Sequence, residues 1–327
     1  MNRRKFLGVT GRAVVASGLF GATFGRAEAY PSRPIRIVVP GAAGGVLDVV
    51  ARRLTDPVGK RLGQQIVIEN KPGANGIIGS ELVAKSKADG YTVLMGSSTS
   101  ISITRLLYSQ LPYDPDKDFA PVTLGGYGYP VLVVSNVLAV KTLKEFLAYS
   151  KSHPGQVTCG TPGVATPNFF GAKLLEKLAG VSFNHVTYKN QPEIITDMIG
   201  GQVHVTVDFA SLVVPHIQAG RIRALVVAGP VRKPAIGDVP TAPEAGLPDF
   251  EVLGWNGYFV PARTQPDIVR TLYQAFSAAI KGQEYVDYVH SFGSEAGGGT
   301  PEEFKAFIEL QNRRWEGVVR EMGIKLE

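Results

Sequence analysis

Ile35-Arg36-Ile37-Val38-Val39, then Pro40-Gly41-Ala42-Ala43-Gly44-Gly45, then Val46-Leu47-Asp48, is the stretch that carries the fold class. The β-branched run predicts a strand, because branched side chains suit a pleated, half-buried surface. The glycine-rich turn ends it. Beyond the turn, Val46, Val50, Leu54, Val58 and Leu62 recur every four residues and predict a helix with one apolar face. Pro57 is expected to bend that helix or cut it short. Strand, glycine turn and helix in succession form the opening unit of an α/β sheet with largely parallel strands.

The unit repeats downstream. Gln65–Glu69 reads as a strand, Lys71–Gly76 as a turn, Ile77–Lys87 as a helix and Tyr91–Met95 as a strand. An extended, glycine-interrupted segment around Val122–Val134 then leads into a second series. There, strands are predicted at Val131–Val134, Gln156–Cys159, Phe183–Tyr188, Val203–Phe209 and Ile222–Ala228. Helices are predicted between them at Leu143–Ser152, Asn168–Leu178, Glu193–Ile199 and Ser211–Gln218. Pro230–Pro248 lacks periodicity and reads as irregular surface chain. Val252–Val260 is a strand that returns to the first series, followed by helices near Pro266–Lys281, Glu284–Ser291 and Pro301–Met322. The expected organisation is therefore a leader over residues 1–29, a first domain from 30–124 and 250–327, and a second from 125–249. Two crossings between domains suit a hinge near Leu124–Tyr129 and Val252–Gly257.

A chain of 327 residues, 44% hydrophobic and 19% charged, is long enough for two domains with real cores. Its 38 glycines and 22 prolines fall short of a low-complexity or collagen-like composition. The net charge of +6 is concentrated at the start: Arg3, Arg4, Lys5, Arg12 and Arg26 stand there against Glu28. The remaining 29 basic and 27 acidic groups nearly cancel and form no long single-sign block, which argues against nucleic acid or a membrane surface as partner. A lone Cys159 excludes a disulfide framework and leaves too few thiolates for a structural zinc site. Arg3-Arg4 before Phe6-Leu7, the weakly apolar Ala13–Phe24 stretch and Ala27-Glu28-Ala29 form a secretory signal of twin-arginine type, cleaved after Ala29. An ordinary general-secretory signal is the alternative. No cysteine follows the cleavage site, so a lipid anchor is not expected and a free periplasmic protein is.

Gly41-x-x-Gly44-Gly45-x-x-Asp48 joins a strand to a helix, where unpaired N–H groups and the macrodipole favour an anion. It is neither a dinucleotide fingerprint nor a Walker loop. Cys159-Gly160-Thr161-Pro162-Gly163-Val164-Ala165-Thr166-Pro167-Asn168 repeats the arrangement in the second domain, and Gly96-Ser97-Ser98-Thr99-Ser100 adds hydroxyl donors or, equally, a helix cap. Asp48 is expected to complement its own helix, and Asp208 to end a strand at the cleft or in a surface turn. Catalysis finds little support. The five histidines are dispersed without metal-ligand spacing, Gly293-Ser294-Glu295-Ala296-Gly297 is not a nucleophile elbow, and no cofactor motif is present. His185 and His204 alternate with apolar neighbours and read as structural, and Trp255 and Trp315 read as packing residues.

The ordered set Tyr30–Arg36, Val38-Val39-Pro40 with Gly44-Gly45-x-x-Asp48, Val67–Ala74, Asp89-Gly90-Tyr91-Thr92, Leu111–Pro115, Lys117–Pro121, Tyr188-Lys189, Gly200–Val203 and Asp238–Thr241 with Glu244-Ala245-Gly246 resembles the extracytoplasmic solute receptors of the tripartite tricarboxylate transporter family, or Bug-type receptors. The resemblance covers the mature chain. It implies a two-lobed periplasmic binding protein of type II-like form, each lobe a mostly parallel sheet flanked by helices. Such a receptor is monomeric and non-enzymatic, and delivers its ligand to a membrane permease of one large and one small subunit. The implied ligand is a small organic carboxylate held by Gly41, Ala42, Ala43, Gly44, Gly45, Val46, Leu47 and Asp48, by Ser97, Ser98 and Thr99, and by Thr161, Pro162, Gly163, Thr166, Asn168, Phe169 and Asp208.

Departures from the family pattern bear on the ligand. Gly41 stands where an aromatic residue is usual, Val46 and Leu47 replace hydroxyl donors, Thr161-Pro162 replace two serines, and Phe169 stands where a histidine is common. Backbone amides are left to bind the anion, and Val46, Leu47 and Phe169 favour an aromatic or medium-chain acid over citrate. Two other readings remain open at this level: a receptor read by a sensor kinase, and a periplasmic hydrolase whose glycine turn is an oxyanion hole.

Overall fold

The computed structural model describes residues 30–325, so the leader and its cleavage site lie outside the described residues. In chain order the elements are β1 (Ile35–Val39), α1 (Val46–Leu62), β2 (Ile66–Asn70), α2 (Ile77–Ala84), β3 (Thr92–Ser97), α3 (Thr104–Leu107), β4 (Phe119–Gly128), β5 (Val131–Ser135), α4 (Leu143–Ser152), β6 (Thr158–Thr161) and α5 (Pro167–Ala179). There follow β7 (Asn184–Thr187), α6 (Gln191–Ile199), β8 (Val205–Asp208), α7 (Ala210–Gln218), β9 (Ile222–Val227), β10 (Gly254–Pro261), α8 (Pro266–Ile280), α9 (Gln283–His290), β11 (Ser294–Gly298) and α10 (Pro301–Met322). Helix α1 runs through Pro57 and ends at a left-handed Gly63, so the proline does not shorten it.

Two sheets organise these elements. The first has the strand order β11-β4-β10-β3-β1-β2 and the second β7-β6-β8-β5-β9. Each is mixed rather than mostly parallel. β1 pairs parallel with β2 and β3, while β10 is antiparallel to β3 and β4, and β11 to β4. In the second sheet β6 is parallel to β7 and β8, and β5 is antiparallel to β8 and β9. The reason is the connection between lobes. β5 receives the chain from the first sheet and β10 brings it back, so each enters against the strands built by local helix crossovers. The glycine-rich Ser294–Gly298, not predicted as a strand, covers an edge of the first sheet.

The segments expected to bend are themselves laddered. Gly128, Tyr127 and Gly126 pair with Gly254, Trp255 and Asn256, with a register shift at Asn256/Gly257. The crossings proper are Tyr129-Pro130 and the stretch before Gly254, tied by the Tyr129 hydroxyl to Glu251 at 3.4 Å. Helix α10 serves both lobes. Phe304 and Ile308 pack with Trp255 and Phe259 of the first, and Trp315 and Val319 with Phe170 and Val205 of the second.

Both sheets share a local order in which the first parallel strand lies between the second and third: β2-β1-β3 and β7-β6-β8. At such a point the turns leaving the first and third strands diverge to opposite faces and open a crevice at the strands' carboxyl ends. The four turns concerned are Pro40–Gly45, those after Ser97 and Thr161, and Asp208-Phe209.

Candidate binding cleft

The four turns converge on one cavity of about 680 Å³ lined from both sheets. On the first side stand Gly41, Ala42, Gly45, Val46, Leu47 and Ser97–Ser100; on the second, Pro162, Gly163, Thr166, Asn168 and Phe209. Ala43, Gly44, Asp48, Thr161, Phe169 and Asp208 are not on the wall.

Gly45 is the N-cap of α1 and carries no side chain to take up the helix's unpaired N–H groups. One of them, from Val46, reaches Gln191 Oε1 of the second lobe at 3.5 Å. Gly44 adopts φ +76° and turns its N–H to Asp48 Oδ2 at 2.9 Å. Asp48 is buried and also meets Arg52, with Nε 3.0 Å from Oδ2 and Nη2 2.9 Å from Oδ1. Burial alone would raise its pKa, but the bonds from Arg52 and the Gly44 N–H outweigh that and hold the carboxyl below its ordinary value. Asp48 therefore serves its own turn, as its position in the sequence suggests.

Ser97 caps the segment after β3 in a reciprocal pair with Ser100, and Ser98 exchanges hydrogen bonds with the backbone of Trp255. These two hydroxyls are committed to the fold even though both residues line the cavity.

Across the cleft, α5 opens with fewer free donors. Thr166 Oγ1 accepts from Phe169 N at 3.3 Å and donates to the Gly163 carbonyl at 2.7 Å, and Pro167 has no N–H. Phe169 packs edge-on against Phe170 and His185 in the core. His185 lies 3.1 Å from Glu176, and His204 accepts from Thr158 N, so both histidines are structural. Asp208 lies behind the wall, fully buried. Its Oδ1 accepts from Asn168 Nδ2 (3.0 Å), Gln191 Nε2 (3.1 Å) and Phe209 N (2.7 Å). Oδ2 has no hydrogen-bond partner among the described residues. Desolvation pushes its pKa up to about 7 despite those three bonds.

The two sides touch at a second point. A Cβ on Gly163, which adopts φ +142°, would lie 2.4 Å from Asn75 Oδ1 of the first lobe. Sequence reasoning missed Asn75, Gln191, Asn256 and the aromatic residues Tyr285, Tyr288 and Phe292, and it assigned Trp255 to packing alone, although it also lines the cavity. Only the spacing of Tyr285, Tyr288, Val289 and Phe292 could have drawn attention to them. Among the described residues no cluster of side chains suits a metal ion.

Residues 50–324 match the family model described as tripartite tricarboxylate transporter family receptor. Protein BugT of Bordetella pertussis is 32% identical over 328 residues, covering 100% of both chains. Among solved structures, R. palustris Rpa4515 with adipate superposes with a TM-score of 0.87 at 31% identity, covering 90% of this chain and 99% of that one. MatC from Rhodopseudomonas palustris with bound malate gives 0.83 at 33% identity, covering 89% of this chain and 100% of that one.

Proposed function

The chain belongs to the tripartite tricarboxylate transporter receptor family and is a solute-binding receptor rather than an enzyme; from that premise we propose that it captures a small organic carboxylate between its lobes and delivers it to a membrane permease of the family's two-subunit type. The observation that carries this reading is the uncapped start of α1, whose Val46 N–H meets only an amide oxygen supplied from the opposite lobe. A ligand carboxylate is a stronger acceptor for the same donors, because a charged hydrogen bond is roughly twice as strong as a neutral one. Adipate in Rpa4515 and malate in MatC support the chemical class.

The family is one of periplasmic transport receptors, which implies a periplasmic location; export as a monomer through the leader at residues 1–29 is part of the proposal. So is a first lobe from residues 30–124 and 250–327 and a second from 125–249. We assign ligand contact to the wall residues Gly41, Ala42, Gly45, Val46, Leu47, Thr99, Gly163, Thr166 and Asn168. Asp48 and Asp208 support the wall from behind. Val46, Leu47 and the aromatic residues of the cavity favour an aromatic or medium-chain acid over citrate.

Native mass spectrometry of protein purified from the periplasm, followed by a thermal-shift panel, tests the reading. A co-purified organic acid and a Tm rise of several degrees with aromatic or medium-chain acids are expected. Stabilisation by citrate alone, or by no acid in the panel, would overturn it.

A further inference from the structure

The cavity is uneven in charge. Among the described residues, Lys189 and Glu295 are the charged side chains on its wall, and they come from different lobes: Lys189 from the exposed segment between β7 and α6, Glu295 from β11. The surface leading to Glu295 is aromatic. Tyr285, Tyr288, Val289 and Phe292 follow one another at offsets of three, four and seven and so share one face of α9 and its end. These rings are held in place. Tyr288 meets Phe292 edge to face, with centroids 5.0 Å apart at 83°, and the Arg53 guanidinium sits 4.3 Å over the Tyr288 ring from outside the cavity. The Tyr285 hydroxyl donates to the Gly125 carbonyl at 3.3 Å. Glu295 is paired with His290 at 3.2 Å and remains half-exposed.

Resting on the receptor reading above, we infer that the α9 face and Glu295 set the ligand class: a monocarboxylate whose aromatic ring lies against Tyr288 and Phe292 and whose far end bears a hydrogen-bond donor, a hydroxyl or an amine. With the ligand's carboxylate at the head of α1, a second carboxylate at the aromatic end meets Glu295, and two like charges at close range in a partly desolvated site repel. A hydroxyl or amine there gives Glu295 a charge-assisted bond instead. A cavity of about 680 Å³ holds roughly twenty waters' worth of liquid at ~30 Å³ each, ample for an acid bearing a ring.

The test is isothermal calorimetry on the full mature receptor with 4-hydroxybenzoate, terephthalate and adipate, for the wild type, Glu295→Gln and Tyr288→Ala, with circular dichroism to confirm folding. Wild type is expected to bind 4-hydroxybenzoate at least tenfold more tightly than terephthalate. Glu295→Gln should narrow that ratio about tenfold. Tyr288→Ala should weaken both ring acids about fivefold and adipate, which has no ring to lie on Tyr288, by less. Equal binding of the two ring acids by wild type, or an unchanged ratio in Glu295→Gln, overturns the inference while leaving a carboxylate receptor standing. Failure of all three acids to bind the wild type overturns the inference, and stabilisation by no acid of the wider thermal-shift panel overturns the receptor reading with it.

Discussion

The turn at the head of α1 and the turn at the head of α5 look alike in sequence and differ in where their donors and charges go. At α1 the cap is Gly45, which leaves the helix's first N–H groups to partners outside the turn. At α5 the cap is Thr166 with Pro167 behind it, so the turn satisfies much of itself. Each turn also rests on a buried aspartate, with opposite electrostatics. Asp48 is neutralised by Arg52 and held below the ordinary carboxylate range, whereas Asp208 has amide donors and no cation beside it among the described residues, and its pKa rises to about 7. The first lobe therefore offers an open donor set on a charge-balanced base. The second offers a shaped, self-capped wall on a titratable one.

The largest expected effect follows from that titratable base. A carboxyl whose folded pKa lies above its unfolded value contributes stability that is full below about pH 4 and is lost as pH rises toward 7. Asp48 has the opposite sign: its contribution is present above its unfolded pKa and lost as pH falls below about 4. Asp208→Asn is expected to abolish the loss between pH 4 and 7, which at about 1.4 kcal/mol per pH unit amounts to a few kcal/mol in favour of the variant at pH 8. Urea unfolding of both proteins at pH 4.5, 6 and 8 reads this directly. Parallel pH curves would mean that Asp208 ionises as an ordinary carboxyl and would remove the opposite signs of the two bases.

A second contrast concerns space. Gly44 and Gly163 both adopt positive φ, but a Cβ on Gly44 meets nothing within 4 Å, while one on Gly163 meets Asn75 of the other lobe. At φ +142° any side chain on Gly163 carries backbone strain as well. Gly163→Ala is therefore expected to lower the Tm of the empty protein about as much as Gly44→Ala does and, through the added contact with Asn75, to lose about a hundredfold in affinity for the carboxylate found to bind. Adding Asn75→Gly should restore part of that loss, and Gly44→Ala should show backbone strain alone, about 1–3 kcal/mol. If Asn75→Gly restores nothing, the loss comes from the turn itself and not from the approach of the lobes.

Most of the scaffold was legible in the sequence because its signals are local. The four-residue apolar repeat after Gly45 and the β-branched runs at Ile35–Val39 and Val131–Ser135 mark their elements directly. Strand direction was not, because whether β5 or β10 runs with or against its neighbours depends on how the chain passes between sheets. The cleft was half legible. Glycine turns announce themselves, but the Gln191 reach to Val46 spans 145 residues and leaves no local pattern. Ser97 and Thr166 show the converse: a hydroxyl in a turn reads equally as ligand donor and as cap, and here both caps are made. Asp208 was placed at a strand end correctly, yet its depth behind Asn168 and Gln191 is a tertiary fact.

The smallest expected effect is the most discriminating for the comparison of the two turns. Thr166→Ala removes the hydroxyl that accepts from Phe169 N and donates to the Gly163 carbonyl, and loss of such a cap typically costs about 1 kcal/mol. If the second turn only shapes the wall, that cost appears in the unfolding free energy, and carboxylate affinity stays within about twofold of wild type. If the Thr166 hydroxyl instead reaches the ligand, affinity falls about tenfold, beyond what the loosened cap explains. Thr166→Ser then separates the two, since serine keeps both hydrogen bonds at the cap and the same donor toward the cavity. Retained stability with lost affinity in the serine variant would point to the threonine methyl as the contact, and the second turn would join the first as part of the ligand's grip.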